Sequence, residues 1–435
     1  MQVLGTLWFI EWSAGSLVRL TSSHAAGIRS LQSIPATPNR PGLICSAGGA
    51  DGSLRIWAAS RPSPSDDSSS LSLQQLIQFE VPRASCTAVS ICEVDLAAPG
   101  STGPQPVVYA AAGYSDGTVR VFNVTNIKVV QKFTLPTGQA EISAIAIVRV
   151  DGEDSDSASS KSYAVVCGTN LGHIVATRIE TAGGADADVS RDATSAQQNI
   201  LVRGDVASGR HGSGSVACIE TSNHDTARWL ACNEAGHLTI WSGEDIAFHV
   251  PLDAVVAEAR KTHQSRPSSF GSWQSPVVNL VDVAVADAGM FCFLHVGQDV
   301  AVFSPVDSDV VLISARSVPP LILAYHLQKK CVIFSMPLTG WPRALDFFVA
   351  PNYPANFIAL VSTPGPKQRR LLSLLDLRSG REIVSARQFV QDETLADASA
   401  GGLNVVFGCE SSSHWDQQSL VVGIGRSLHV FAKAD

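Results

Sequence analysis

A chain of 435 residues with 45% hydrophobic and 16% charged side chains has ample material for a buried core, and its length suits two or three ordinary domains or one large repeat domain. Its formal net charge of −8 is modest and argues against a protein that works mainly by blanketing nucleic acid or an anionic membrane. No apolar run reaches the roughly 18 residues that a membrane-spanning helix needs.

The chain opens on an apolar stretch, residues 1–10, with no basic leader and with Glu11 interrupting it; it reads as a strand, not a signal peptide. Inside it lies the first of four similar segments: Gly5-Thr-Leu-Trp-Phe-Ile10, Gly52-Ser-Leu-Arg-Ile-Trp57, Gly117-Thr-Val-Arg-Val-Phe122 and Gly236-His-Leu-Thr-Ile-Trp241. Each starts at a turn glycine and continues as an apolar strand of about five residues. Asp51 and Asp116 precede two of these glycines, which favours a tight hairpin because both turn positions tolerate positive φ. A recurring hairpin implies a molecule built from copies of one unit, and places function in surfaces more than in a catalytic pocket.

Marker glycines fall at positions 5, 52, 117, 172, 236, 297 and 425, mostly at intervals of roughly 50–65 residues, as expected of a forty-odd-residue unit with insertions. The last interval is about twice the others and is expected to hide a degenerate copy around 371–377. Internal units are predicted at 28–81, 86–135, 142–203, 216–250, 277–336 and 345–386. In the first, strands are expected near 43–47, at 53–58 and at 76–81. The fifth contains more strand material than one unit needs. The polar, Ser/Asp-, Gly/Ser- or Pro-containing stretches 61–72, 151–160, 181–196, 204–214 and 257–275 cannot bury enough apolar area to order themselves and are predicted to be loops. Strands at 7–12 and 17–20 begin the chain in mid-unit, and 403–431 ends it in mid-unit. A ring of four-stranded sheets removes its open edge by stitching one sheet from both chain ends, here 1–24 with 403–435. The expected fold is an all-β propeller of seven blades, with eight as the alternative, in a single domain over 1–435.

One unit carries the side chains of a particular propeller type. His24 follows the outer strand, Ser46 lies on the second strand, Asp51 sits in the turn and Trp57 closes the third strand. The spacing resembles the WD-repeat family, in which a His–Ser–Asp–Trp chain of hydrogen bonds locks a blade; such a network rigidifies only when every member is satisfied. The other units are eroded. Asp116 and Phe122 lack a matching His, while Gly172-His173 and Gly236-His237 keep the glycine without the Asp.

Signals for catalysis or metal binding are weak. Nine cysteines are scattered with no Cys-x-x-Cys, and several sit in apolar runs where a thiol packs as a small hydrophobe. Eleven histidines never adopt ligand spacing; His173 and His237 recur through repeat geometry. Gly212-Ser-Gly-Ser215 fits a linker better than a nucleophile turn. Gly423-Ile-Gly425 fits a hairpin turn, and no phosphate-binding Gly-Lys-Ser/Thr occurs. Propeller enzymes of the sialidase kind use a Ser-x-Asp-x-Gly-x-x-x-Trp turn, whose spacing the stretch from Ser46 to Trp57 lacks. No enzyme activity and no cofactor are expected. Arg55 and Arg120, recurring on the third strand, either line a channel or pair with Asp side chains, with pairing favoured. Lys367, Arg369, Arg370, Arg378 and Arg381 form the strongest basic cluster. It suits a partner with an acidic face, such as tubulin, or a solvated strand edge protected by its charges.

The segments Gly5-Thr-Leu-Trp-Phe-Ile-Glu-Trp12, Val18-Arg-Leu20 with His24, Asp51-Gly-Ser-Leu-Arg-Ile-Trp57, Leu76-Ile-Gln-Phe-Glu-Val81 and Ala112-Gly-Tyr-Ser-Asp-Gly117 together resemble the family of WD-repeat-containing protein ninety and the proximal-centriole protein sixteen of algae. The likeness is good over residues 5–178 and weaker beyond. It implies a component of centriole, basal body or cilium, in the cytoplasm and cytoskeleton. The expected partners are other centriolar or ciliary scaffold proteins and tubulin, with neither nucleic acid nor membrane. In that family a microtubule-binding module precedes several propellers, so the resemblance implies a fragment of a longer protein. Two other readings stand beside it: a WD-repeat subunit of another assembly, such as a ubiquitin-ligase adaptor or vesicle coat, and a propeller enzyme or small-ligand binder.

Overall fold

The computed structural model describes residues 17–20, 24, 28–34, 37, 40–48, 51–60, 72–96, 105–135, 140–150, 162–179, 200–201, 215–222, 227–233, 237–243, 245–265, 301–303, 309–315, 321–337, 342–349, 356–362, 372–376, 381–385, 403–407, 419–424 and 427–432. Short apolar runs broken by turn residues form antiparallel strands there, and successive strands pair with their neighbours in sequence. The first sheet holds β2 (Ile28–Ile34), β3 (Gly42–Gly48), β4 (Ser53–Ser60) and β5 (Ser72–Glu80). The second holds β6 (Cys86–Leu96), β7 (Gln105–Tyr114), β8 (Thr118–Asn123) and β9 (Lys128–Thr134). The third holds β10 (Ile142–Val150), β11 (Ser162–Thr169), β12 (Ile174–Arg178) and β13 (Ile200–Leu201). The fourth holds β14 (Val216–Thr221), β15 (Arg228–Asn233), β16 (His237–Ser242) and β17 (Asp245–Pro251).

Two further sheets are β18 (Ala301–Phe303) to β21 (Cys331–Pro337), through β19 (Val310–Ala315) and β20 (Leu321–His326), and β22 (Pro342–Val349) to β25 (Arg381–Ser385), through β23 (Asn356–Ser362) and β24 (Leu372–Asp376). The remaining sheet joins distant parts of the chain. β1 (Leu17–Leu20) pairs with β28 (Ser427–Ala432), which continues to β27 (Ser419–Ile424) and β26 (Leu403–Phe407). Val18 stands opposite Val430. The strand expected at 7–12, Gly5 included, lies outside the described residues.

The first strands of the sheets are the inner ones. β26 packs on β2, β2 on β6, β6 on β10, β10 on β14 and β14 on β18, while β22 packs on β26. Apolar faces of adjacent sheets share cores, such as Leu54, Ile56 and Ile77 with Val108, Ala110 and Phe122. Hydroxyls tie the seams. Thr87 Oγ1 donates to the carbonyl of Ile142 at 2.6 Å, and Ser143 Oγ repeats the contact one sheet on, to Val216 at 2.7 Å.

A repeated bulge fixes which residues are equivalent. Between third and fourth strands the register shifts just before Trp57, Phe122, Trp241, Tyr325 and Leu375. Bulges of this kind increase local twist, and here they put those five residues at one register position of the unit.

The stretch 257–275, expected to be a loop, is corrected in part: helix α1 (Leu252–Ser265) occupies its first half. Leu252, Val255 and Ala259 recur on one helical face and are buried against Leu238, Ile240, Val311 and Tyr325. The stripe straddles the end of β17 and the polar stretch, so a strand ending near 250 hides its 3.6-residue period. Ala254, Ala257, Glu258 and Arg260 then supply helix propensity on the exposed side.

Candidate functional site

The connection from β1 into β2 carries His24 over the end of the first sheet, where Gly48 makes room for it. A Cβ on Gly48 would overlap His24 Nδ1 and the Asp51 carboxylate. His24 and Ser46 are fully buried, and Trp57 nearly so. Trp57 Nε1 donates to Ser46 Oγ at 2.8 Å, and Ser46 Oγ lies 2.8 Å from His24 Nε2. On the other side of the ring His24 Nδ1 lies 2.9 Å from Ser53 Oγ and 3.3 Å from Asp51 Oδ2. Asp51 Oδ1 accepts from the Ser53 amide at 2.9 Å and its hydroxyl at 2.7 Å. The donor count assigns the protons: the indole N–H points to Ser46, the Ser46 hydroxyl to Nε2, and Nδ1–H to Asp51 and Ser53.

Electrostatics agree with a neutral imidazole. Burial lowers the His24 pKa, outweighing the hydrogen bond and charge of Asp51 that push it upward. Burial raises the Asp51 pKa, but the hydrogen bonds from His24 and Ser53 outweigh it and hold the carboxyl well below its ordinary value of 3.8. Asp51 therefore stays ionised as an acceptor for three donors.

The structure thus brings His24, Ser46, Asp51 and Trp57 into one network and adds Ser53, which spacing alone does not mark. Ser53 directly follows the Asp51-Gly52 turn, where the side chain of the first strand residue returns to the Asp. The second sheet repeats this part: Thr118 donates to Asp116 Oδ1 through its amide at 3.0 Å and its hydroxyl at 2.6 Å. Gly52, Gly117 and Gly172 have φ of 64°, 78° and 85°, so these turns require glycine. Gly236 lies outside the described residues, as do Lys367, Arg369, Arg370 and Arg378. Arg381 begins β25.

Register explains why the lock does not recur. Ser46 lies two residues beyond the partner of Trp57 on β3; the same position is Ala112 beside Phe122 and Ala231 beside Trp241. Without a hydroxyl the network loses its centre. Trp241 stacks on Trp229 at 4.8 Å, yet among the described residues its buried Nε1 has no hydrogen-bond partner. Phe122, having no donor to satisfy, stacks on Phe79 at 4.2 Å. Gly48, opposite the start of β2, corresponds to Tyr114, opposite the start of β6. Tyr114 is fully buried and fills the room that the first sheet gives to His24. At the same position Thr169 and Asn233 accept from the amides of His173 at 3.1 Å and His237 at 2.9 Å.

The expected Asp partners of the repeated arginines are corrected. Arg55 donates to Gln75 Oε1 at 3.2 Å, and the Arg120 guanidinium lies 5.7 Å from the Tyr114 ring centre. Cys45, Cys86, Cys167, Cys218 and Cys232 are buried and form no disulfide among the described residues, and burial raises the pKa of the first three. Among the described residues no three His, Cys, Asp or Glu side chains are grouped to hold a metal ion, and no helix is long and apolar enough to cross a membrane.

Four-stranded antiparallel sheets repeated along the chain, with a His–Ser–Asp–Trp network in one of them, define a WD-repeat β-propeller. No protein-family model matches the chain. It is 24% identical over 383 residues to WD repeat-containing protein 90 of Xenopus tropicalis, an alignment covering 86% of this chain and 16% of that protein. Over 121 residues, 28% of this chain, it is 32% identical to WD repeat-containing protein 90 of Mus musculus and 31% identical to that of Homo sapiens, covering 5% and 6% of those proteins. These relatives support membership of the WD repeat-containing protein 90 family, and the chain spans well under a fifth of their length.

Proposed function

We propose that this chain is a non-enzymatic protein–protein interaction scaffold of the centriole, basal body or cilium. The observation that carries the scaffold reading is the architecture of the described surface. Sheets with shared apolar seams and a satisfied polar lock hold the described turns, such as those at Asp51-Gly52 and Asp116-Gly117, in fixed positions, so partners dock there with little ordering cost. Similarity to WD repeat-containing protein 90 over 86% of the chain supports the same reading. The centriolar placement rests on the family resemblance in the sequence. Its partners are other centriolar or ciliary scaffold proteins; tubulin contact in such a protein comes mainly through a module outside this chain.

The test is expression of the tagged chain in ciliated cells, with imaging against a centriolar marker, affinity purification and co-sedimentation with microtubules. Recruitment to centrioles or basal bodies with co-purifying centriolar scaffold proteins is the expected result. A chain that stays diffuse and enriches only subunits of a ubiquitin ligase or vesicle coat would replace this reading with another WD-repeat assembly.

A further inference from the structure

The outer half of the second sheet departs from the charge of the rest of the molecule. Within a chain of net charge −8, residues 118–135 carry Arg120, Lys128 and Lys132 and no acidic residue. Arg120 and Lys132 stand directly opposite each other on β8 and β9, an arrangement that like charges make unfavourable. The corresponding pair in the first sheet is Arg55 opposite Gln78, where an amide avoids the repulsion. Among the described residues neither Arg120, Lys128 nor Lys132 has an ion-pair partner; Arg120 Nε is buried without a hydrogen bond, as Arg55 Nε is, and its guanidinium lies over the Tyr114 ring. Gln131 Nε2 donates to the carbonyl of Arg178 at 3.2 Å, which brings the exposed end of β12 beside this strand.

The turn that leads into β9 adds an aliphatic tip. Ile127 is 60% exposed and has φ of 55°, a conformation that a β-branched residue adopts only under strain. The matching turn before β21 reaches φ of 51° at Lys330, so the turn imposes the geometry and only the choice of an exposed isoleucine is special to the second sheet. Lysines alone would be explained as protection of an open strand edge. An exposed, strained isoleucine at the turn of the hairpin that carries this Arg–Lys pair works against that protection and against stability.

We infer that β8, β9 and the turn between them form a docking surface for an acidic protein segment bearing an aliphatic side chain. Running along the outer edge of β9, it pairs its carboxylates with Lys132 and Arg120 on one face of the sheet and with Lys128 on the other, and its apolar residue packs on Ile127. This deepens the scaffold reading and rests on it. The probe is a fluorescein-labelled glutamate-rich peptide with interspersed leucines, titrated by anisotropy against the full chain, with a leucine-free polyglutamate peptide and a DNA oligonucleotide as comparators. The leucine-containing peptide is expected to bind best, with affinity falling as salt rises. Lys128→Glu with Lys132→Glu should weaken it by at least about tenfold. Ile127→Gly should weaken it by about fivefold, the loss of one aliphatic contact, while leaving the melting temperature unchanged or raised because glycine relieves the turn. Native affinity in the double lysine variant, no measurable binding of the leucine-containing peptide, or equal binding of all three probes would overturn the assignment. Loss of this binding in a chain that still reaches centrioles would sink only the surface, not the scaffold.

Discussion

Ser46→Ala tests the lock at its centre. The hydroxyl accepts from Trp57 Nε1 and lies beside His24 Nε2, both at 2.8 Å, so its removal orphans one buried donor and one buried acceptor with almost no change of volume. Leaving a buried polar group unsatisfied costs about 1–3 kcal/mol, and the pair together should cost about 2–4 kcal/mol. With an unfolding entropy of about 2.1 cal/mol/K per residue, 435 residues unfolding together convert this loss into a fall in Tm of roughly 2–4 °C. Denaturant titration supplies the free energy, and hydrogen exchange at the amides of β3 and β4 shows whether the loss is local. A double-mutant cycle adds the decisive control. In a Trp57→Phe background the indole donor is gone, so Ser46→Ala should cost about half as much. A loss under about 0.5 kcal/mol in the single variant, or full additivity in the cycle, would refute the assignment of Ser46 as the centre of the network.

The reciprocal experiment is Ala231→Ser, which supplies an acceptor where Trp241 Nε1 has none among the described residues; a stabilisation of about 1 kcal/mol is expected by denaturant titration. Stability should also depend on pH through His24. Its folded pKa lies below the ordinary 6.5, so the unfolded chain takes up the proton first; the contribution is complete above pH 6.5 and declines as pH falls below it. The stability gap between the native chain and His24→Gln should therefore narrow from about pH 7.5 to about pH 5.5, and a widening gap would reverse the assignment. Asp51, with a folded pKa below 3.8, adds a second loss as pH falls below that value. Gly113→Ala places a Cβ against the Ile142 side chain across a seam between sheets, at an overpacking cost of about 1–3 kcal/mol, seen as a lower denaturant midpoint with unchanged far-ultraviolet dichroism.

The propeller class is legible in the sequence because its signals are local. Asp-Gly turns, alternating Val, Ile and Leu, and a terminal aromatic lie within a few residues of one another, and hairpin pairing follows from them. Within the site, His24, Ser46, Asp51 and Trp57 are marked by spacing that one kind of network demands. Ser53 is not, because a serine after a turn glycine has the same appearance whether it faces solvent or an imidazole. Helix α1 is hidden for a different reason: Leu252, Val255 and Ala259 are too few and too close to a preceding strand for their period to stand out from the polar residues between them.

What no local signal carries is equivalence across sheets, and it decides the chemistry. Tyr114 reads as an ordinary strand aromatic until register sets it beside Gly48; only then is it seen to fill the room that the first sheet leaves for His24. One position of the repeat therefore has three solutions: a glycine that admits a histidine from the chain outside, an aromatic that fills the space itself, and a short polar residue, Thr169 or Asn233, that caps its own turn. All three stand at one register position at the end of a four-stranded sheet, opposite the start of its first strand, so the repeat does not reserve that position for one residue type. The same freedom separates the fold from the binding surface. Arg120 lies on the third strand of its sheet with its guanidinium over Tyr114, yet among the described residues neither it nor Lys132 opposite it has an acidic partner. Charges without an acidic partner among the described residues are where a scaffold built this way would acquire partners of its own.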